Sequence, residues 1–398
     1  MNYVLFDDST WDNLLPLTFT RPTAEIRVGI LTIREKWEKY LTDGPLSYCT
    51  RPHLEAKFPK KVGADNVFIN GSVIPTAELL AEIEELEPGQ ALICNDAVCA
   101  IRLDKAQAER FDPQKISFKN FTQQISDSHR IERLSDIFQM NGEAIEHDFR
   151  IITKGRKSQP LSASNRVIGT GDIFIEHGAV VECAILNTNN GPIYIGKGSE
   201  VMEGSAIRGP FALCAGSVVK MGAKIYGPTT VGPHSKVGGE LNNVIIIGNS
   251  NKAHDGFLGN TVVGEWCNFG ADTNCSNLKN DYGEVRQWNY PAGHFVKTGL
   301  QFCGLVMGDY SRSAINTMFN TGTVVGVGAN IYGSGFPRNF VPSFMWGGSA
   351  GFEVCTPAKL CEVAARVQAR RGIELSDIDR QLITDVFHLT EKYRGGYK

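Results

Sequence analysis

Eight aliphatic residues recur at intervals of six: Ile195, Val201, Ile207, Leu213, Val219, Ile225, Val231 and Val237. The fourth residue after most of them is small (Ser199, Ser205, Ser217, Ala223, Thr229 and Ser235), with Phe211 an exception. An α-helix, at 3.6 residues per turn, scatters such a spacing over several faces. A plain strand alternates with period two and does not select these positions either. A chain that bends once per six residues does, with one aliphatic side chain pointing inward on each flat side. Each such coil buries its core only by stacking on its neighbours. The spacing therefore predicts an all-β, left-handed parallel β-helix of hexapeptide repeats.

The pattern opens with Ile175 and Val181, resumes after the perfect run as Phe257, Val263, Phe269 and Cys275, and ends with Phe319, Val325 and Ile331. Between Ser276 and Gly304 the period vanishes and polar and aromatic residues take over. A long excursion from a regular solenoid is where binding residues tend to sit, although it can also simply pack or cap. Ahead of the repeats, residues 1–153 read as an α/β domain. Its expected elements are a buried strand at Tyr3-Val4-Leu5-Phe6 and a helix over Ile30 to Tyr40. A helix capped by Thr76 runs to Leu86, and a hairpin turns at Asn95-Asp96. A linker spans 154–165, the β-helix 166–345, and a helical extension 346–398. In that extension Gly372 ends one helix, and Ser376 with Asp379 resembles a capping box for the next. These helices are expected to cover the open end or to lock neighbouring chains.

The 398 residues suffice for several domains. A net charge of −3 without long basic runs points away from nucleic acid. No signal-peptide pattern opens the chain, and no apolar run approaches a membrane span. The ten scattered cysteines read as reduced thiols in a cytoplasm.

The stretch Asn251-Lys252-Ala253-His254-Asp255-Gly256-Phe257-Leu258-Gly259, followed by Asn268-Phe269-Gly270-Ala271-Asp272-Thr273, resembles the acetyltransferase half of one family. That family is the bifunctional glucosamine-1-phosphate acetyltransferase/N-acetylglucosamine-1-phosphate uridyltransferase family (GlmU). Its motif is Lys-Ala-Gly-His-Leu-Thr-Tyr-Leu-Gly, then Asn-Ile-Gly-Ala-Gly-Thr. The resemblance makes His254 the candidate general base. The chemistry suits it, because an amine attacking a thioester must lose a proton and a neutral imidazole accepts one near neutral pH. It implies that Asn268 binds the sugar and that Asn277 lies at the acceptor amine. The ring at Phe257 stands where the family has tyrosine. Lys279 or Lys297 supplies a loop cation, and the backbone of Ala271 meets acetyl-CoA, the acyl donor. Coenzyme A would lie along the groove between subunits of a homotrimer.

The departures are specific. The family's phosphate-binding lysine falls at Asn242-Asn243, its arginine falls near His234 to Lys236, and Phe257 lacks the tyrosine hydroxyl. Lys279, Arg286, Lys297 or Arg312 could take over the phosphate or the coenzyme A contact.

Leu15-Pro16-Leu17-Thr18-Phe19-Thr20-Arg21-Pro22 resembles the Pro-Leu-Thr-x-x-Arg-Pro-Lys stretch of sugar-1-phosphate nucleotidyltransferases. Asn70-Gly71-Ser72-Val73-Ile74-Pro75 resembles their Asn-Gly-Asp-x-Pro. The resemblance implies that Thr18 and Arg21 contact a nucleotide or sugar phosphate, with UTP or dTTP as donor. Yet Phe6-Asp7-Asp8-Ser9-Thr10-Trp11 has no glycine where a phosphate loop needs one. Ser72 replaces the metal-binding Asp, which leaves Asp7 or Asp8 as carboxylates for Mg²⁺. Arg27, Arg34 and Lys36 either join such a site or form a solvated helix face.

Two enzyme readings follow. One is a sugar-nucleotide enzyme that N-acetylates an amino-sugar phosphate in the β-helix and transfers a nucleotidyl group in the N-terminal domain. The other is a nucleotidyltransferase whose β-helix is a trimerisation scaffold. A non-catalytic sugar-nucleotide-binding trimer is a third. A zinc enzyme is disfavoured, because His234, His254 and His294 lack close spacing.

Overall fold

The computed structural model describes residues 1–41, 44, 46–94, 97–116, 122–125 (as backbone) and 129–396. Two compact units emerge. One comprises Met1–Leu14, Thr20–Ile26 and Leu31–Arg133; the other comprises Leu15–Phe19, Arg27–Ile30 and Leu134–Lys398.

The first unit is built on a six-stranded mixed sheet. Its order is Leu46–Cys49, Asn2–Phe6, Asp65–Asn70, Ala97–Asp104, Gln90–Cys94, Thr122–Ile125. Asn2–Phe6 reads as a run of apolar residues because it is flanked by parallel partners on both sides. The expected helix begins later than its apolar pattern, at Ile33–Tyr40. Thr32 accepts from the Glu35 N–H and Glu35 returns the bond, so this capping box sets the start. The helix Ala77–Glu84 is capped by Thr76 as expected. On this helix Lys36 is only 1% exposed and Arg34 is ion-paired with Glu25 and Glu38, whereas Glu38 and Lys39 face solvent. Gln90–Cys94 and Ala97–Asp104 form the antiparallel hairpin, while its turn at Asn95-Asp96 lies outside the described residues. Across this hairpin Cys94 and Cys99 are joined by a disulfide, which corrects the all-thiol expectation. The other eight cysteines are not in disulfides.

The second unit is a parallel solenoid of about 10 turns. Its inward residues stack in register: Leu186, Ile207, Ile225 and Leu241 on one side, and Ile195, Leu213, Val231 and Ile246 on the next. Val181, Val201, Val219 and Val237 stack on the third. All are buried in one continuous core. Phe211, an exception among the small positions, is fully buried in that core beside Ile193 and Thr229.

After Val237 the hexads do not lapse; the step shortens. Register runs from Val219 to Val237 over eighteen residues, then from Val237 to Lys252 over fifteen. The inward residues there are Leu241, Ile246 and Leu258, all fully buried. Leu258, not Phe257, is therefore the core residue, and Phe257 is left half-exposed. Ser276–Gly304 leaves the coil and carries the hairpin Arg286–Asn289/His294–Lys297.

The segment 154–165 packs onto the first coil, where the Gln159 N–H donates to the Ile175 carbonyl and Asn165 to the Val181 carbonyl. The helix Asn141–Thr153 belongs to the second unit, where the Asn141 amide holds Pro228 and Thr230. The helix Pro357–Ala369 does not cover an end of the solenoid. It lies along one line of coil corners: Leu360 sits against Gly328, Gln368 donates to the Tyr310 hydroxyl, and Arg371 donates to the carbonyls of His234 and Asn249.

Truncating a column residue tests this packing. Ile225→Ala should cost about 2–5 kcal/mol and lower the melting temperature. Met221→Ala, at a side chain 68% exposed on the same coil, should change stability by under about 0.5 kcal/mol in the same denaturant titration.

Candidate active site

His254 sits at a solenoid corner, between the strands Asn251–Lys252 and Phe257–Glu265. Its imidazole is exposed. Gly256 makes the corner possible: its φ is +111°, and a Cβ there would stand 2.2 Å from the Thr273 carbonyl oxygen. The next coil is stitched below it, with the Asp272 N–H donating to the Asp255 carbonyl and the Phe257 N–H to the Asn274 side chain.

Lys252 holds this corner from inside. By register it follows Val237 in the inward column, and it is 1% exposed. Its ammonium donates to the carbonyls of His254 at 2.5 Å, Asp255 at 3.0 Å and Gly238 at 3.4 Å. A buried ammonium is tolerated only when its protons are satisfied in this way. Burial nonetheless pulls its pKa down to about 8, against the opposing pull of Asp255 and Asp272. The sequence pattern does not mark this lysine, because a charged residue does not register in an apolar repeat; the column of Val201, Val219 and Val237 is the available signal.

On the outer face of the same ladder, Asn251 donates to Asn268 at 2.9 Å, and Asn268 pairs in register with Arg312. Arg312 Nε and Nη2 are buried without a hydrogen-bond partner among the described residues. Burial pulls the Arg312 pKa below its ordinary value. A guanidinium in that state is set to receive an anion. Ala271 lies on the coil beside His254, and its carbonyl accepts from the Asn316 N–H at 2.8 Å. His254, Asn268, Ala271 and Arg312 thus share one corner and the ladder that enters it.

The remaining candidates stand elsewhere. Phe257 and Asn277 both crowd Gly259, where a Cβ would meet the Asn277 amide at 2.4 Å and the Phe257 ring at 2.7 Å. Asn277 is 8% exposed and donates to Asn260. Lys279 pairs with Asp281 at 3.0 Å, and Lys297 with Glu284 at 3.5 Å.

In the first unit, a pocket of about 330 Å³ is lined by Asp8, Ser9, Asp12 and Arg51 among others. Arg51 pairs with Asp12 and stacks over Trp11. Thr18 and Arg21 are buried and fall in different units; neither lines this pocket, nor does Asp7. Arg27, in the second unit, donates to the carbonyls of Ile30 and Ile247.

Mg²⁺ requires oxygen ligands free to turn toward it. Asp7 is 2% exposed and accepts from the Thr23 N–H and the Thr50 hydroxyl. Asp8 accepts from the Thr10 N–H, the Asn70 amide and Arg130. Among the described residues no group of three His, Cys, Asp or Glu could hold a metal. The expectation that Asp7 or Asp8 carries Mg²⁺ therefore does not fit this donor set.

Residues 3–157 match the sugar nucleotidyl transferase family model. Over 96 residues the chain is 31% identical to the bifunctional protein GlmU of Methanococcus aeolicus, covering 20% of this chain and 23% of the relative. Over 93 residues it is 31% identical to a bifunctional sugar-1-phosphate nucleotidylyltransferase/acetyltransferase of Sulfurisphaera tokodaii, covering 23% of each. The chain thus spans about a quarter of the length of these curated relatives. Among solved structures, it overlaps the UDP-N-acetylglucosamine acyltransferase of Francisella novicida with a TM-score of 0.38 and 13% identity, over 59% of this chain and 79% of that one. A likeness this loose says nothing of substrate. Residues 3–157 are thus similar to sugar nucleotidyl transferases, and the curated relatives that match part of the chain are GlmU-type bifunctional enzymes.

Two titrations probe these buried charges. Lys252 has a folded pKa near 8 against an ordinary 10.5, so between those values the unfolded state binds the extra proton and stability rises with pH. Lys252→Met should flatten that rise in melting curves taken from pH 8 to 10.5. Burial pushes Asp7 from 3.8 up to about 6, so the folded state holds a proton there that the unfolded state releases, and stability falls as pH rises through that window. Asp7→Asn should remove the fall and stabilise the protein at neutral pH by up to about 3 kcal/mol.

Proposed function

We propose that the chain is a cytoplasmic transferase of sugar-nucleotide biosynthesis, working as a homotrimer. Its β-helix moves an acetyl group from acetyl-CoA to the amine of an amino-sugar phosphate. The amine nitrogen attacks the thioester carbonyl carbon and a C–N bond forms. The C–S bond then breaks, and the coenzyme A thiolate leaves. His254 takes the proton that the amine loses and can return one to the departing sulfur, so that free thiol is the product. The observation that supports this most is the exposed His254 imidazole on a corner fixed by Lys252, beside Ala271 and Asn268. Fixed geometry at the reacting atoms is what lowers such a barrier. Asn268 would hydrogen-bond the sugar, and Arg312 would anchor a phosphate of the acceptor or of coenzyme A. Phe257, Asn277, Lys279 and Lys297 would line the approach.

In the N-terminal unit the reading is nucleotidyl transfer from UTP or dTTP to a sugar 1-phosphate, supported by the family match over residues 3–157. The pocket beside Asp8 and Arg51 would receive the phosphates. Thr18 and Arg21, being buried, would act by shaping the loops that bear them.

Supplied with acetyl-CoA and glucosamine 1-phosphate, the protein should release free thiol. His254→Ala should lower that rate by roughly 100-fold or more; an unchanged rate removes His254 from the mechanism. Arg312→Gln should raise the KM for one substrate by about tenfold while kcat changes less.

A further inference from the structure

A second cavity, of about 870 Å³, opens within the second unit between the excursion hairpin, the solenoid edge at Thr321 and Asn339, and the C-terminal segment. That volume suits a ligand of drug or nucleotide size. Two features of its lining point to one chemistry.

The first is charge. Among the described residues, Lys279, Arg286, Arg338 and Lys392 line the cavity against one carboxylate, Glu284. Glu284 is itself occupied, ion-paired with Lys297 and accepting from the Gly299 N–H. The second is a set of flat rings. Trp288 stacks on Phe340 with centroids 4.1 Å apart, and Phe295 meets Trp288 edge-on. Tyr393 also lines the cavity, edge-on against Tyr290 at 5.0 Å and against Phe340 at 6.4 Å. In addition, Trp288 Nε1 is buried with no hydrogen-bond partner among the described residues, an N–H that waits for an acceptor. Residues from three distant parts of the chain thus converge on a rigid, ring-lined and cationic hollow.

We propose that this cavity binds a nucleoside phosphate, with the base among the rings of Trp288, Phe295 and Tyr393 and the phosphates on Arg338 and Lys392. Stacking on aromatic rings is worth about 1–3 kcal/mol per base, and charge-assisted bonds hold phosphates. Such a group can arrive as a free nucleotide or as the nucleotide end of coenzyme A. The second source rests on the acyl-transfer reading above; the first does not.

Calorimetric titration of the full chain separates them. Adenosine 3′,5′-bisphosphate represents the coenzyme A end, UDP the free nucleotide, and inorganic pyrophosphate the charge alone. At least one nucleotide should bind, with the tighter of the two naming the source. Arg338→Gln combined with Lys392→Gln should weaken it tenfold or more, Trp288→Phe should weaken it several-fold, and both variants should keep the wild-type melting temperature within a few degrees. His254→Ala should leave binding unchanged, so failure here and failure of the acetyl-transfer reading are told apart. No binding of either nucleotide at millimolar concentration would overturn the proposal. So would unaltered affinity in the double variant, or pyrophosphate binding as tightly as both nucleotides.

Discussion

In a solenoid no coil owns a core. Each inward side chain is buried only by the residue one coil above and the residue one coil below, so every position in the second unit is fixed by register. The aliphatic columns through Ile225, Val231 and Val237 supply that register, and the backbone ladders between coils leave few polar groups unsatisfied. Corners inherit the precision of the columns. An exposed side chain on a corner is carried by a backbone bonded to coils on both sides, although the side chain itself faces solvent.

At the His254 corner the column changes character. Where valine has stood four times, Lys252 enters, and its ammonium gathers carbonyls from the turn that presents the imidazole. Thr273 and Ser313, hydrogen-bonded to each other at 2.9 Å, continue this polar interior on the following coils. Apolar residues of similar size would pack there at lower cost in desolvation. The polar interior is thus tied to the turn geometry rather than to burial alone, and it coincides with the stretch whose sequence resembles an acetyltransferase.

How much of this is legible in the sequence depends on what each residue type reveals. The hexads at Ile195 to Val237 announce the fold because aliphatic side chains report their own burial. The shortened step from Val237 to Lys252 is hidden from a template fixed at six residues, and counting back six from Val263 points Phe257 inward in place of Leu258 because that side of the coil spans five. His254 and Asn268 are found through a motif, whereas the cavity shared by Trp288, Arg338 and Lys392 has no local signature. The motif residues Thr18 and Arg21 point toward phosphate chemistry, but their burial is a tertiary property that no short motif encodes. The helix after Pro357 is expected from its caps, while its course along the coil corners depends on Leu360 meeting a bare glycine at 328.

The shortened coil has an evolutionary corollary. Because register advances by fifteen residues there and by seventeen to the following coil, the chain has no slack in which to absorb an insertion before Leu258. Gaining one residue in the bend would turn Phe257 inward and carry Leu258 out to solvent, and every later coil would have to re-index. Length variation in descendants of this fold should therefore collect in the hairpin excursion, and the bend bearing the imidazole should keep its count.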